Sequence, residues 1–520
     1  MRNIVVGLLA GVMVGAPVVA RAADCAGLTN LRLPQGEITM AAVTEAGRFV
    51  NPYGQPLRAE VPTFCRVAGV LRPTADSNIR FEVWMPASDW NGRLLGVGNG
   101  GFAGSIGYDQ MGGALKQGYA TAGTDTGHEG QAEDASWAYK HPEKIADFGW
   151  RGLHLTAVVA KAVIAAYYGD GAKKSYFDSC SDGGREALME AQRFPEDYDG
   201  ILAGAPANNW TRMLSSGLDI TKTVVDPEAY VSSMKLPAIT KAVLEQCDAQ
   251  DGVKDGVLND PRTCHFNPAV LLCKGGDSRE CLTEKQVSAV RKLYAGGVDA
   301  KGHSLFPGYM PGDEWTSWAT WVLGPAAGSG SGVSYMQNYF RYMVFDDPKW
   351  NPLTADVDAA LRTAEAKTGK DVNSVNPDLT AFAARGGKLV MYHGWDDPAI
   401  SPLNSIAYYE SVQKRMGEEK AASFVRLYMV PGMEHCIGGP GANLFGQLGA
   451  PSAKGPGTGA LADLQEWVET GKPVGEMTAV KLGADNKPAM TRPLCPYPQV
   501  AKYKGDGEVK DAANFACGTE

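Results

Sequence analysis

One short run constrains this chain more than any other: Tyr176-Phe177-Asp178-Ser179-Cys180-Ser181-Asp182-Gly183-Gly184-Arg185-Glu186. β-favouring residues lead straight into a helix-favouring stretch, with Ser181 at the join. A strand that becomes a helix within one residue lifts the side chain at the turn clear of the sheet. The turn is strained and crowded, so small residues must flank the serine. Gly183 meets that demand. Ser179 stands where the usual G-x-S-x-G pattern has glycine, so the match is to a relaxed motif. The string is a weak signal alone; Cys180 beside the serine and Cys436 beside His435 strengthen it.

The surrounding chain alternates extended and helical patterns. Arg80–Pro86, Gly92–Gly98 and Tyr119–Asp125 read as strands. Gly152–Tyr168 carries Leu153, Val158, Val159 and Val163 at helical spacing and ends at Gly169, a good helix terminator. After a stretch rich in cysteine, Asp-Gly turns, tryptophan and tyrosine, the rhythm resumes. Lys388–Gly394 and Phe424–Val430 read as strands, Asn404–Met416 as a helix. A closing helix has Leu461, Leu464, Trp467 and Val468 on one face. The expected fold class is α/β, a mainly parallel sheet covered on both faces. The expected organisation is a leader over 1–22, a first core part over 23–207, a lid inserted over 208–380, and a second core part over 381–520.

The N-terminus has the form of an export leader. Met1-Arg2-Asn3 precedes an apolar stretch from Ile4 to Ala20, and Ala20-Arg21-Ala22 is an A-x-A cleavage site. A membrane anchor is the rival reading, but the stretch is short and broken by glycines and Pro17. Removal before Ala23 is therefore expected, leaving no membrane attachment and a secreted or periplasmic protein. Ten cysteines suit that destination, because disulfides persist in oxidising compartments. The formal net charge of −9, with no basic run, argues against a nucleic-acid partner.

Three polar residues follow strand-like runs: Ser181, Asp397 and His435. Ser…Asp…His is the chain order of α/β-hydrolases, whose strand ends bring distant residues together. A serine hydroxyl needs a neighbouring imidazole to take its proton, and a carboxylate to orient that imidazole. A lone Ser or His is usually structural, and the other six histidines have no comparable setting. Asp396 competes with Asp397; Asp397 is preferred because it precedes Pro398 in a turn. Cys180 competes as a thiol nucleophile, but a disulfide would remove its thiolate. The oxyanion needs two backbone N–H donors. One is expected from Asp182, directly after the nucleophile, and the other from the glycine-rich Val97–Gly104. A phosphate cradle is disfavoured, since no G-K-[ST] follows.

These residues resemble one family closely, that of tannases and feruloyl esterases, which includes the hydrolase of mono(2-hydroxyethyl) terephthalate. The matching strings are Cys180–Glu186, Gln192–Ile201, Ala203–Pro206, Tyr392–Asp397, Val430–Cys436 and Arg492–Pro498. The resemblance implies an α/β-hydrolase fold with a lid, and a Ser181/Asp397/His435 triad with Cys180 joined to Cys436. It also implies the pairs Cys25–Cys65, Cys247–Cys264, Cys273–Cys281 and Cys495–Cys517, and Gly101 as the oxyanion partner of Asp182. Cys247–Asp260 is similar to the family's calcium loop. The implied ligands are the carboxylates of Asp248, Asp251 and Asp255 and the carbonyls of Val253 and Val257. Hard oxygen donors suit Ca²⁺; without the resemblance, Asp-Gly turns are the plainer reading.

The expected function is hydrolysis of small aromatic esters of the feruloyl, caffeoyl or galloyl type by a monomer or weak homo-oligomer. It needs structural Ca²⁺ but no organic cofactor. Tyr335, Tyr339, Phe340, Tyr342, Phe345 and Trp395 are candidates for the acyl pocket. Hydrolysis of the terephthalate half-ester ranks lower, because glycine stands near the position of that enzyme's carboxylate-binding arginine, around Gly332. Two further classes compete with an esterase: a catalytically silent binding protein and a peptidase with the same triad.

Overall fold

The computed structural model describes residues 24–52, 54–57, 60–455 and 457–519; the expected leader lies outside them. Nine strands form one twisted sheet. In chain order they are β1 (Gly36–Thr44), β2 (Phe64–Leu71), β3 (Ile79–Pro86), β4 (Arg93–Val97) and β5 (Ala120–Thr124). β6 (Lys174–Cys180), β7 (Gly200–Gly204), β8 (Lys388–Gly394) and β9 (Val425–Val430) complete it. Their spatial order is β1-β2-β3-β5-β4-β6-β7-β8-β9. From β5 to β9 every pairing is parallel, whereas β1-β2, β2-β3 and β3-β5 are antiparallel. The sheet is thus more mixed than expected. β1 escaped notice because it is an edge strand with only Ile38 and Ala41 buried, too few apolar residues to mark a period.

Period-two alternation in the parallel half supplies two cores. Tyr176, Leu202, Val390, Tyr392 and Tyr428 face one side, where Leu461, Leu464 and Trp467 of the helix Ala460–Thr470 cover them. Phe177, Ile201, Ala203, Leu389, Met391 and Leu427 face the other. There the helices Gly152–Tyr168, Asp182–Arg193 and Leu403–Met416 contribute Leu153, Ala187, Leu188 and Val412. The helix Gly152–Tyr168 stops where Gly169 enters the left-handed region (φ 79°), its N–H donating to the Ala165 carbonyl. Val158 faces outward instead of joining the core.

The connection between β7 and β8 adds no strand to the main sheet. It packs helices such as Trp210–Val224, Leu236–Cys247, Glu284–Ala295 and Ser331–Asn338 around their own apolar cluster. Leu218, Ile239, Val290, Met336 and Phe340 are fully buried there. Phe102, from the loop after β4, and Phe148, from the helical turn Asp147–Arg151 before Gly152–Tyr168, join the same cluster. All ten cysteines are paired: Cys25–Cys65, Cys180–Cys436, Cys247–Cys264, Cys273–Cys281 and Cys495–Cys517. Among the described residues no helix is long and apolar enough to cross a membrane.

The helix after β6 sits directly on β7 because Gly184 has no side chain. A Cβ there would lie 2.1 Å from the Gly204 carbonyl oxygen and 2.9 Å from Pro206 Cα. Backbone cannot yield as a flexible side chain does. Gly184→Ala is expected to cost about 3 kcal/mol, at the upper end of overpacking penalties, read as a lowered denaturation midpoint. An unchanged midpoint would contradict this packing.

Candidate active site

Ser181 bridges the end of β6 and the first turn of the helix Asp182–Arg193. Its φ of 69° and ψ of −124° lie outside the regions an L-residue prefers. Three backbone bonds hold it there. Its N–H donates to the Gly204 carbonyl (3.0 Å), while its own carbonyl accepts from Arg185 and Ala207 (3.1 Å each). Ser179 is tolerated in place of the usual glycine because its neighbours are bare. A Cβ on Gly183 would fall 1.8 Å from Ser179 Oγ, and one on Gly98 would fall 2.7 Å from it.

The strand ends bring three distant side chains together. His435 Nε2 lies 2.8 Å from Ser181 Oγ, and His435 Nδ1 lies 2.7 Å from Asp397 Oδ2. An ionised carboxylate only accepts, so Nδ1–H donates to Asp397 and Nε2 is left to accept from the serine hydroxyl. The Cys180–Cys436 disulfide joins the residue before Ser181 to the residue after His435. The indole of Trp321 meets the His435 ring edge-on, with centroids 5.3 Å apart.

Asp397 is fully enclosed and fully bonded. Its Oδ1 accepts the N–H groups of Ala399 and Ile400 (2.8 and 2.9 Å). Its Oδ2 accepts from His435 and, at 3.1 Å, from His393 Nε2. Burial pushes this carboxyl up, but the electrostatic pull of His435 and the bonds from His393 and His435 outweigh it. The carboxyl is held well below the usual range. Asp396 behaves oppositely. Its carboxyl faces Gly312 and stands near Asp313, Glu314 and Glu434, so burial and like charge push it up. Geometry therefore separates the two candidate acids, and only Asp397 meets the imidazole.

His393 is the residue sequence reasoning passed over. It is fully buried on β8, with Nε2 facing both Asp397 Oδ2 and the Ile400 carbonyl, and Nδ1 2.7 Å from Ser405 Oγ. Two acceptors at Nε2 require a proton there. The available signal was its position four residues before Asp397.

Gly101 and Asp182 line one cavity together with Ser181. Neither N–H donates to any acceptor among the described residues. Gly101 has a φ of +62°, and a Cβ on it would strike the Ala132 carbonyl oxygen and the Tyr335 hydroxyl. The cavity wall is chiefly apolar, with Trp210, Leu214, Phe306, Trp321, Val333 and Tyr335 in it, and among the described residues no lysine or arginine lines it. Gly332 also lines it. One face of the helix Trp210–Val224 supplies much of this wall, a stripe legible in its spacing of Trp210, Leu214, Gly217 and Thr221.

Of the aromatic candidates only Tyr335 lies here. Tyr339 and Phe340 are fully buried in the core of the connection, and Phe345 stacks on Trp350. Tyr342 meets Tyr139 edge-on, and Trp395 lies beneath the Arg262 guanidinium. These side chains fill apolar volume instead, which composition alone cannot distinguish from lining a pocket.

Asp248, Asp251 and Asp255 share the loop that follows Cys247, closed by the Cys247–Cys264 disulfide. The Asp248 carboxylate accepts from Gly256 N–H (3.1 Å), that of Asp251 from Val253 and Asn259 N–H, and that of Asp255 from Val257 N–H. Burial, with the Asp255 charge adding to it, pushes Asp251 up to about 6 and raises Asp248 as well. Arg492 pairs with Asp255. The donor set is all oxygen and its negative charge exceeds the one arginine that meets it, which fits a hard divalent cation.

The chain matches the family model described as tannase and feruloyl esterase over residues 65–518. It is 42% identical to an uncharacterized esterase of Xanthomonas campestris over 95% of this chain and 91% of that protein. A probable feruloyl esterase B-2 of Aspergillus terreus is 33% identical, with 95% of each chain covered. The crystal structure of feruloyl esterase B from Aspergillus oryzae superposes with a TM-score of 0.87 at 30% identity, covering 95% of this chain and 99% of that one. A tannin acyl hydrolase from Aspergillus niger shares the fold, with a TM-score of 0.75 at 23% identity over 94% of this chain and 92% of that one. A relationship that runs the length of the chain, in sequence and in three dimensions, makes this protein an α/β-hydrolase-fold carboxylic ester hydrolase of the tannase and feruloyl esterase family.

Proposed function

We propose that this ester hydrolase is a serine esterase, exported from the cytoplasm, that cleaves small aromatic esters of the hydroxycinnamoyl or galloyl type. The carrying observation is the unbroken line of hydrogen bonds from Ser181 Oγ through His435 to Asp397 beside an apolar cavity. Ser181 Oγ attacks the ester carbonyl as His435 Nε2 takes its proton. Asp397, kept ionised, steadies the imidazolium that forms. The carbonyl oxygen gains charge and is met by the N–H groups of Gly101 and Asp182, donors worth about 10²–10³ in rate each. Collapse expels the alcohol with the proton returned by His435, leaving an acyl-Ser181. Water, activated by the same imidazole, then releases the acid.

The cavity favours a neutral aromatic acyl group, because its wall offers indole, phenol and aliphatic surface without a fixed cation. A substrate carrying a free carboxylate, such as mono(2-hydroxyethyl) terephthalate, would enter without a counter-charge there and is ranked below ferulate or gallate esters. Ser181→Ala should lower kcat on methyl ferulate by at least about 10³-fold while keeping the native melting temperature. Retained turnover would remove the serine from this role. In a panel with methyl gallate, chlorogenate and the terephthalate half-ester, the half-ester should be slowest. Its being fastest would reverse the assignment of acyl group.

The lid of this reading is the connection between β7 and β8, with a calcium ion in its acidic loop. Asp248, Asp251 and Asp255, with the carbonyls of Val253 and Val257, would hold the ion, whose charge would offset theirs. The role is structural, since these residues are not among those facing the nucleophile. One calcium per chain is expected in metal analysis, and chelation should lower the melting temperature more than it changes kcat at low temperature. A metal-free protein with an unmoved melting temperature would refute the site.

Export is supported by five disulfides, which an oxidising compartment sustains. The mature chain recovered from periplasm or medium should begin at Ala23 on N-terminal sequencing. A cytoplasmic chain beginning at Met1 would be inconsistent with it.

A further inference from the structure

The oxyanion loop is held from two sides, and only one side belongs to the nucleophile's own helix. On the far side, Phe102 N–H donates to the Ala132 carbonyl (2.7 Å), and the Phe102 carbonyl lies 2.7 Å from His128 Nε2. On the near side, the Asn99 peptide is clasped at both ends. Its N–H donates to Glu186 Oε2 (2.9 Å), and its carbonyl accepts from Gly183 N–H (2.9 Å). The Asn99 side-chain amide donates to the carbonyls of Ser105 and Thr124 (2.8 and 2.9 Å), closing the loop on itself and on the end of β5. Gly101 sits between the two anchored ends.

The contact needs two bare glycines. A Cβ on Gly98 would fall 2.4 Å from Glu186 Oε2, and one on Gly183 would fall 2.9 Å from the Asn99 carbonyl oxygen. Glu186 is 2% exposed, and its other oxygen, Oε1, has no hydrogen-bond partner among the described residues. A buried carboxyl with one spare oxygen is costly unless its single contact matters. Nothing in the proton path from Ser181 to Asp397 uses it.

We propose that Glu186 is a positioning residue for the oxyanion hole: by gripping the Asn99 amide it sets where the Gly101 N–H points relative to Ser181. The inference rests on the serine-esterase reading above and deepens it. The acid acts through the loop, because it reaches only the main chain of Asn99. Burial, reinforced by the Asp182 charge, pushes its carboxyl up to about 8, so near neutral pH it is mainly the uncharged acid. Glutamine has the same outline as that acid and an oxygen to accept the same bond. Alanine has neither.

The test compares native protein with Glu186→Gln, Glu186→Ala and Gly98→Ala. It measures kcat and KM on p-nitrophenyl acetate and the inhibition constant of phenylboronic acid, a tetrahedral mimic that Ser181 would bind. Glu186→Ala and Gly98→Ala should lose about 10²-fold in kcat, the scale of a loop misplaced by an ångström, with little change in KM. Their affinity for the boronate should fall in parallel, and Glu186→Gln should restore most of the rate. Folding is checked by circular dichroism, and should Glu186→Ala not fold, Gly98→Ala carries the comparison. A folded Glu186→Ala with native kcat overturns the proposal, as does a lost rate with unaltered boronate affinity. Ser181→Ala is run alongside. Turnover independent of Ser181 would sink the esterase reading itself, whereas Ser181-dependent turnover indifferent to Glu186 and Gly98 would sink this inference alone.

Discussion

The site depends on a backbone held where it would not choose to be. Ser181 carries a side chain at a positive φ, and strain of that kind persists only when its surroundings over-determine it. Here they do. The Gly204 carbonyl fixes its amide, the Arg185 and Ala207 amides fix its carbonyl, and the helix it begins lies flush on β7 across Gly184. Apart from the Arg185 amide, in the first turn of that helix, those contacts come from β7 or the turn beyond it, which is why the fold places the reactive hydroxyl at the strands' C-terminal ends.

Around that point the molecule pushes two neighbouring acids in opposite directions. Asp397 is surrounded by donors, two backbone amides and two imidazoles, and is held well below the usual carboxylate range although its side chain is shut off from solvent. Asp396, one residue away, faces other acids and is pushed toward its neutral form by burial and their charge. Adjacent carboxyls pushed in opposite directions by their surroundings are a common mark of a functional site. The contrast comes from which way each side chain leaves the turn after β8, not from residue type.

Much of this was legible in the chain itself. The Ser181 run revealed a turn because small residues and a change of propensity coincide there, and the helix Gly152–Tyr168 announced its C-terminal end at Gly169. Asp397 was preferred over Asp396 on a proline turn, a weak argument from the residues to which only the family resemblance added, and it agrees with the geometry. Other features had no local signature. β1 lacks an apolar stripe, and His393 looks like any strand residue until the turn after β8 folds Asp397 back over it. The aromatic side chains of the β7–β8 connection could not be divided into wall and core, since packing and lining draw on the same residue types. The acids at 248, 251 and 255 read equally as turn formers; the family resemblance raised the question of a cation, and in space the Asp255 charge acts on both Asp248 and Asp251.

The Cys180–Cys436 bridge has a topological consequence. It closes a covalent ring across 256 positions, and that ring contains the whole connection between β7 and β8. Hydrolysis of any one peptide bond inside the ring, at an exposed tip of the connection for instance, opens a loop but releases no fragment. The two resulting polypeptides stay tethered beside the nucleophile. In a protease-rich environment the molecule is thus built so that a single nick lengthens its list of chain ends without separating hydroxyl from imidazole.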